Sequence, residues 1–313
     1  MPPAPGLRII PTVLLVGVTA IWGWTFVVVK DAIGHYPVVS FLGVRFALAA
    51  LVLWLIVAAL RLRIRRAGIG LAIGLVLALS YLFQTLGLRG TSVANTGLIT
   101  GLFVVFTPIL DRLIFGVATG RVTWLAAATA FAGTALLTGG APTGLHQGDL
   151  LVLLGSVGFA FHITLLSRYA SAGPLVLAAW QMTAAGVFLT AGAVATGVVL
   201  IPAPTSVWPA LLITGVFASA IAFWVQTYAQ QRLPASRTAL ILTTEPAFTV
   251  FFAFLLVGER FRLLQVVGAA LILGALFFSE LRERRPVGAA APVEVPLEPS
   301  PNRPNRVRGR GRR

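Results

Sequence analysis

Ten stretches of mostly apolar residues, each about 17 to 25 long as a spanning helix requires, follow one another along this chain of 313 residues. They cover 9–29, 38–60, 69–88, 94–116, 122–139, 149–167, 175–199, 208–229, 238–257 and 263–281. Short connections separate most of them, marked by turn residues such as Gly34, Pro37, Gly90, Gly140, Pro142, Gly173, Pro174, Pro202 and Pro204. The stretches are too long for barrel strands and lack strict alternation, so the pattern predicts a helical bundle in lipid. The first runs through Trp22-Gly23-Trp24 without a small-x-small cleavage site, which predicts a span and not a cleaved signal.

Composition agrees with that pattern. Hydrophobic residues make up 58% and charged residues 11%, against about 25% charge in a soluble domain. Mean hydropathy is +0.92. The chain has no cysteine and three scattered histidines, so no metal centre, disulfide, thiolate chemistry or cofactor is expected. The net charge of +15 would suggest nucleic acid on a soluble protein. Here the cations sort by side of the membrane. With the N-terminus inside, the inner side carries Arg8, Arg61, Arg63, Arg65, Arg66, Arg121, Arg168, Arg232, Arg237, Arg282, Arg284 and Arg285. The outer side carries only Lys30, Arg89, Arg260 and Arg262. That bias predicts a multi-pass protein of the cytoplasmic membrane with both termini in the cytoplasm. Residues 286–313, rich in arginine and proline, are expected to be a disordered tail. Its arginines would be drawn to anionic lipid by about 1 kcal/mol each, with no nucleic-acid partner.

The apolar pattern repeats. A shift of 136 sets Leu14-Leu15-Val16 on Leu150-Leu151-Val152 and Arg45 on Gln181. A shift of 142 sets Gln84-Thr85 on Gln226-Thr227, Leu98-Ile99 on Leu240-Ile241 and Gly116 on Gly258. The halves then are 9–140 and 148–281, after a short N-terminus of residues 1–8. Five spans per half force the second copy to enter from the opposite face. The expected fold is therefore all-α, with ten transmembrane helices in two inverted five-helix repeats. Such inversion is the architecture of many secondary transporters.

Several local motifs carry a family likeness. They are Ile21-Trp22-Gly23 with Lys30, Val44-Arg45-Phe46, Thr91-Ser92-Val93-Ala94-Asn95, Arg237-Thr238-Ala239-Leu240, Thr244-Glu245-Pro246 and Gly258-Glu259-Arg260. In these the chain resembles the EamA-type permeases of the drug/metabolite transporter superfamily, over about residues 9–281. The resemblance implies a permease that exports or exchanges small metabolites, amino acids among them. The first half has no acid matching Glu245, and Val117 stands where Glu259 stands in the second. Any role of those acids is asymmetric in this chain.

Ionisable and polar groups inside the apolar stretches are the candidates for a pathway. Glu245 lies about 4 Å from the midplane of its span and Arg45 about 6 Å outward, taking 1.5 Å per residue. Glu245 is a candidate for holding a proton or a cationic substrate, or for fixing a helix break beside Pro246. Arg45 could take a carboxylate or phosphate in its fork, or be tied to Asp31 or helix-terminal carbonyls. His162 could relay protons or satisfy a neighbour. Trp22 with Thr25, and Tyr81 with Gln84, share helix faces. With Asn95 and Gln226 they complete the expected substrate-pathway set. Gly70, Gly74, Ala269, Ala270 and Gly274 read as close helix packing.

Three function classes fit such a chain. There is no glycine-rich loop ending in Gly-Lys-Ser/Thr, so the chain is not expected to pump with ATP. An enzyme acting on a lipid-linked substrate would need paired acids or a nucleophile beside a base, and the candidates lie at separate depths. A scaffold or sensor leaves the inverted duplication unexplained. The reading is a non-enzymatic permease for a small molecule, monomeric or homodimeric, working outward.

Overall fold

A computed structural model describes residues 6–91, 93–137, 147–202, 205–257 and 263–282. The described residues form helices and no strand. In chain order these are α1 (Gly6–His35), α2 (Val38–Ala59), α3 (Ala67–Gly90), α4 (Val93–Gly101), α5 (Phe103–Phe115), α6 (Arg121–Leu137) and α7 (Gln147–Tyr169). There follow α8 (Pro174–Ala195), α9 (Val207–Gly215), α10 (Ala222–Gln230), α11 (Ala235–Leu242), α12 (Glu245–Val257) and α13 (Leu263–Arg282). Among the described residues, seven helical segments are long and apolar enough to cross a membrane. Leucine, isoleucine and phenylalanine on their outer faces, such as Leu51, Leu55, Phe188, Leu212 and Phe277, stand exposed as lipid contacts would. The 286–313 tail and the Gly258-Glu259-Arg260 motif lie outside the described residues.

The first helix runs past the expected end at residue 29. Its last turns bury Ala32 and Ile33, and Tyr36 is buried just beyond, so packing carries the helix on where apolarity alone would stop it. Lys30 is held in the same stretch because its Nζ donates to Leu88 O at 2.8 Å, near the carbonyl end of α3. A cation is favoured at that end of a helix.

Three of the expected spans are interrupted. The 94–116 stretch breaks at Leu102, between α4 and α5, where Leu102 N donates to Ile99 O in a tightened turn. The 238–257 stretch breaks at Thr243-Thr244, where both hydroxyls turn back onto the carbonyls of Leu240 and Ile241. Pro246, after Glu245, has no N–H to continue the ladder. Between α9 and α10 the helix widens into a π-helical turn over Val216–Ile221. Such turns concentrate at functional sites.

Packing runs α2 on α8, α3 on α7 and α8, α6 on α13, and α1 on α10 and α12. Close approach needs small residues. A Cβ added at Gly74 would come within 2.4 Å of Gln181 O, and one at Gly70 within 2.4 Å of Trp180 Cβ, so glycine alone allows α3 to lie on α8 there. Gly274 is different: nothing lies within 4 Å of its added Cβ. It stands on an open face of α13, and the close packing expected there is absent.

Candidate functional site

A cavity of about 70 Å³, room for a handful of water molecules, lies beside the α4–α5 and α11–α12 breaks, where Thr100, Phe103, Leu242 and Glu245 line it. First-half helices contribute Trp22, Thr25, Arg45, Tyr81 and Gln84 to its wall, and second-half helices contribute His162, Gln226 and Glu245. Eight of the nine residues singled out from the sequence therefore surround one space. The ninth, Asn95, has a side chain outside the described residues. Thr85, Thr100, Phe103, Phe159 and Phe223 also line the cavity, and the sequence pattern does not mark them. Their apolar or hydroxyl character does not distinguish them from dozens of others in lipid-facing helices.

The wall is largely aromatic. The Tyr81 ring meets Phe46, Phe159 and Phe223 edge-on, with centroids 5.2, 5.0 and 6.1 Å apart. Trp22 tilts against Phe223 at 5.5 Å. Aromatic pairs of this kind contribute about 0.5–1.5 kcal/mol each beyond the area they bury. The other tryptophans stand apart from it: Trp180 packs edge-on against Trp54, and Trp224 is exposed.

Arg45 is bound within the protein. Its Nε donates to Ser219 Oγ at 2.8 Å, and a terminal nitrogen reaches Ala218 O at 3.4 Å. The guanidinium carbon stands 5.0 Å from the Tyr81 ring centre and 5.4 Å from that of Phe46. Asp31, considered as its partner from sequence, is exposed. Trp22 Nε1 also donates to Ala218 O, at 2.8 Å, so the π-helical turn gathers two cavity side chains from the first half.

The amides behave unlike one another. Gln84 Nε2 donates to Thr100 Oγ1 at 3.0 Å. For Gln226, its repeat partner, the position matching Thr100 is Leu242, which has no hydroxyl to accept. Gln226 turns instead along its own helix and donates to Gln230 Oε1 at 3.1 Å, leaving Gln226 Oε1 buried without a partner. Gln230 Nε2 in turn donates to Ile163 O at 2.8 Å. His162 Nε2 lies 2.8 Å from Gln181 Oε1, which pairs the histidine with the residue matching Arg45 in the second half.

Glu245 opens α12, where a carboxylate suits the positive end of the helix. Its position is set by α1. A Cβ added at Gly23 would come 2.8 Å from Phe248 Cβ and Thr249 N, and 3.0 Å from Glu245 O. Thr19 and Thr244 share a hydrogen bond at 2.8 Å one turn away. The Glu245 carboxylate interacts electrostatically with the Arg45 guanidinium, which lines the same cavity. No group of three or more histidine, aspartate or glutamate side chains able to hold a metal occurs among the described residues.

A family model covering most of the chain decides its affiliation: residues 9–139 and 146–281 each match the EamA-like transporter family. The chain belongs to that family. It is 33% identical over 266 residues to an uncharacterized transporter of Archaeoglobus fulgidus, a match covering 85% of this chain and 84% of that one. It is 29% identical to the uncharacterized transporter YyaM of Bacillus subtilis, over 84% of this chain and 92% of that one. To the uncharacterized inner membrane transporter YedA of Escherichia coli it is 27% identical, over 88% and 92%. A solved crystal structure superposes with a TM-score of 0.75 at 18% identity, covering 88% of this chain and 99% of its own. That likeness speaks for the fold. The apolar helices and these relatives make the chain a multi-pass membrane protein of a transporter family.

Proposed function

We propose that this EamA-family member is a secondary transporter of ten membrane-crossing segments. Two inverted repeats, 9–140 and 148–281, would carry a small organic metabolite or amphipathic compound outward by alternating access. Trp22, Thr25, Arg45, Tyr81, Gln84, Asn95, His162, Gln226 and Glu245 would form its substrate pathway. Both termini would lie in the cytoplasm.

The observation that carries the reading is the cavity shared by both halves. Its polar groups come from α1, α2, α3 and α4 on one side and from α7, α10 and α12 on the other. Irregular backbone at membrane depth is tolerated where it lines such a cavity, and the breaks at Leu102 and Thr243-Thr244 border it. Reciprocal packing supports the inversion: α2 packs on its repeat partner α8, and α6 on its partner α13, while α3 lies on α7 as α10 lies on α1. A two-fold axis in the membrane plane produces such pairs.

The test is flux. Metabolites that accumulate on opposite sides in cells lacking and overproducing the protein would be loaded into proteoliposomes. Protein-dependent efflux is expected. No protein-dependent movement of any such compound would sink the transport reading and leave a scaffold or sensor. Covalent conversion of a lipid-linked substrate would favour the enzyme.

A further inference from the structure

His162 and Gln181 are both buried, at 1% and 0% exposure, and the ring nitrogen Nε2 lies 2.8 Å from Gln181 Oε1. The far end of the amide fixes which of the two donates. Gln181 Nε2 faces Leu177 O at 3.3 Å and Thr227 Oγ1 at 3.4 Å. The first is a carbonyl. The second has spent its proton on Phe223 O at 2.6 Å, so it too can only accept. The amide nitrogen therefore belongs on that side, its oxygen faces the ring, and His162 Nε2 must carry the proton.

The ring has no carboxylate partner among the described residues. A charged ring so placed is costly, and in the neutral ring the second nitrogen, Nδ1, is an acceptor. Nδ1 bonds to no described residue, yet, unlike Gln226 Oε1, it is not sealed from probe-sized molecules. His162 lines the cavity and is otherwise buried, so Nδ1 opens there. The Phe223 ring stands edge-on to the imidazole at 5.8 Å. Through Phe223 and Thr227, α10 thus sets both the ring and the amide.

We propose that Gln181 is a positioning residue: it holds His162 as the Nε2–H tautomer and so presents Nδ1 to the cavity as the acceptor for an O–H or N–H of the ligand. Arg45 and Glu245 line the same space, so the histidine selects no charge. It fixes where a donor of the ligand sits. The proposal rests on the transport reading only for calling that ligand a substrate.

Nitrogen NMR of the full chain in lipid nanodiscs, with isotope-labelled histidine, reads the tautomer directly. His162→Phe identifies its signals against those of His35 and His146. A neutral ring protonated at Nε2 is expected. Protonation at Nδ1, or at both nitrogens, overturns the proposal. Benzyl alcohol and benzyl methyl ether then probe the acceptor, since only the alcohol has an O–H. The alcohol is expected to move the Nδ1 signal and to bind about three- to tenfold more tightly, by the strength of one hydrogen bond. The ether should leave Nδ1 unmoved. An equal response to both, or a response to neither, overturns the proposal. Gln181→Met should lose the tautomer preference and the difference between the probes; a folded variant that keeps both overturns the role of Gln181. Should that variant not fold, the tautomer and the two probes on the unaltered chain decide. Flux through proteoliposomes is read separately. The expected tautomer and probe response without flux of any compound would count against transport and leave the histidine site standing; flux with the other tautomer would do the reverse.

Discussion

Arg45 in α2 donates through Nε to Ser219 Oγ at 2.8 Å, tying the arginine of the cavity wall to the π-helical turn of the opposite half. The bond is buried at both ends, since Arg45 is 4% exposed and Ser219 fully buried. Two of the guanidinium nitrogens are therefore hydrogen-bonded across the interface of the repeats, to the wide turn over Val216–Ile221, and the charge interacts with Glu245 of the same half as that turn.

Ser219→Ala should destabilise the protein by about 1.5–3 kcal/mol, because a charged donor loses its buried acceptor. Arg45→Lys should not recover the wild-type behaviour, since an ammonium cannot reach Ser219 and Ala218 with one planar fork. Thermal unfolding in detergent measures both. An unchanged midpoint for Ser219→Ala would show that Arg45 is held by something else.

Gly23→Ala should disturb Glu245 from a distance. Its new Cβ would press on Phe248 Cβ and Thr249 N at 2.8 Å, and overpacking of this kind costs about 1–3 kcal/mol. Because the strained contact is backbone of α12, transport should fall as well as stability. Gly34→Ala in the same helix has nothing within 4 Å of the added carbon and should be neutral or slightly stabilising. Equal behaviour of the two variants in flux and unfolding would contradict the close approach of α1 and α12.

Gln84 and Gln226 are expected to face opposite sides during the transport cycle. The chain has no native cysteine, so Gln84→Cys and Gln226→Cys each present one thiol to a bulky impermeant reagent. Residue 84 should react from outside and residue 226 only from inside, with substrate protecting both. If neither reacts from either face while transport persists, the amides only bind neighbouring helices, where such bonds contribute about 0.6–2 kcal/mol.

The arginine bias predicts loops 61–67 and 230–237 inside and loops 140–148 and 200–207 outside. Reporter fusions or site-specific labelling of intact cells check this. A residue near 290 reachable only from the outer face would refute ten crossings.

Much of the architecture was legible in the order of apolar stretches, because in lipid the backbone must close its hydrogen bonds within each segment. Helix then follows from apolarity and length alone, and an ionisable group inside such a segment declares itself by its cost. Glu245, Arg45 and His162 were visible in this way, and Gln84 and Gln226 through the repeated Gln-Thr pair. What only the tertiary structure decided was where the helices break and which polar atoms are already used. The break at Leu102 and the π-helical turn at Val216–Ile221 have no proline at the interruption itself, so the order of apolar residues does not mark them. Whether Arg45 is spent or available depends on Ser219, 174 residues away, and the open valence of Gln226 depends on a leucine standing where its repeat partner finds a threonine. Hydrogen-bond satisfaction is a property of pairs brought together in space, and an unaligned sequence shows only one member of each pair at a time.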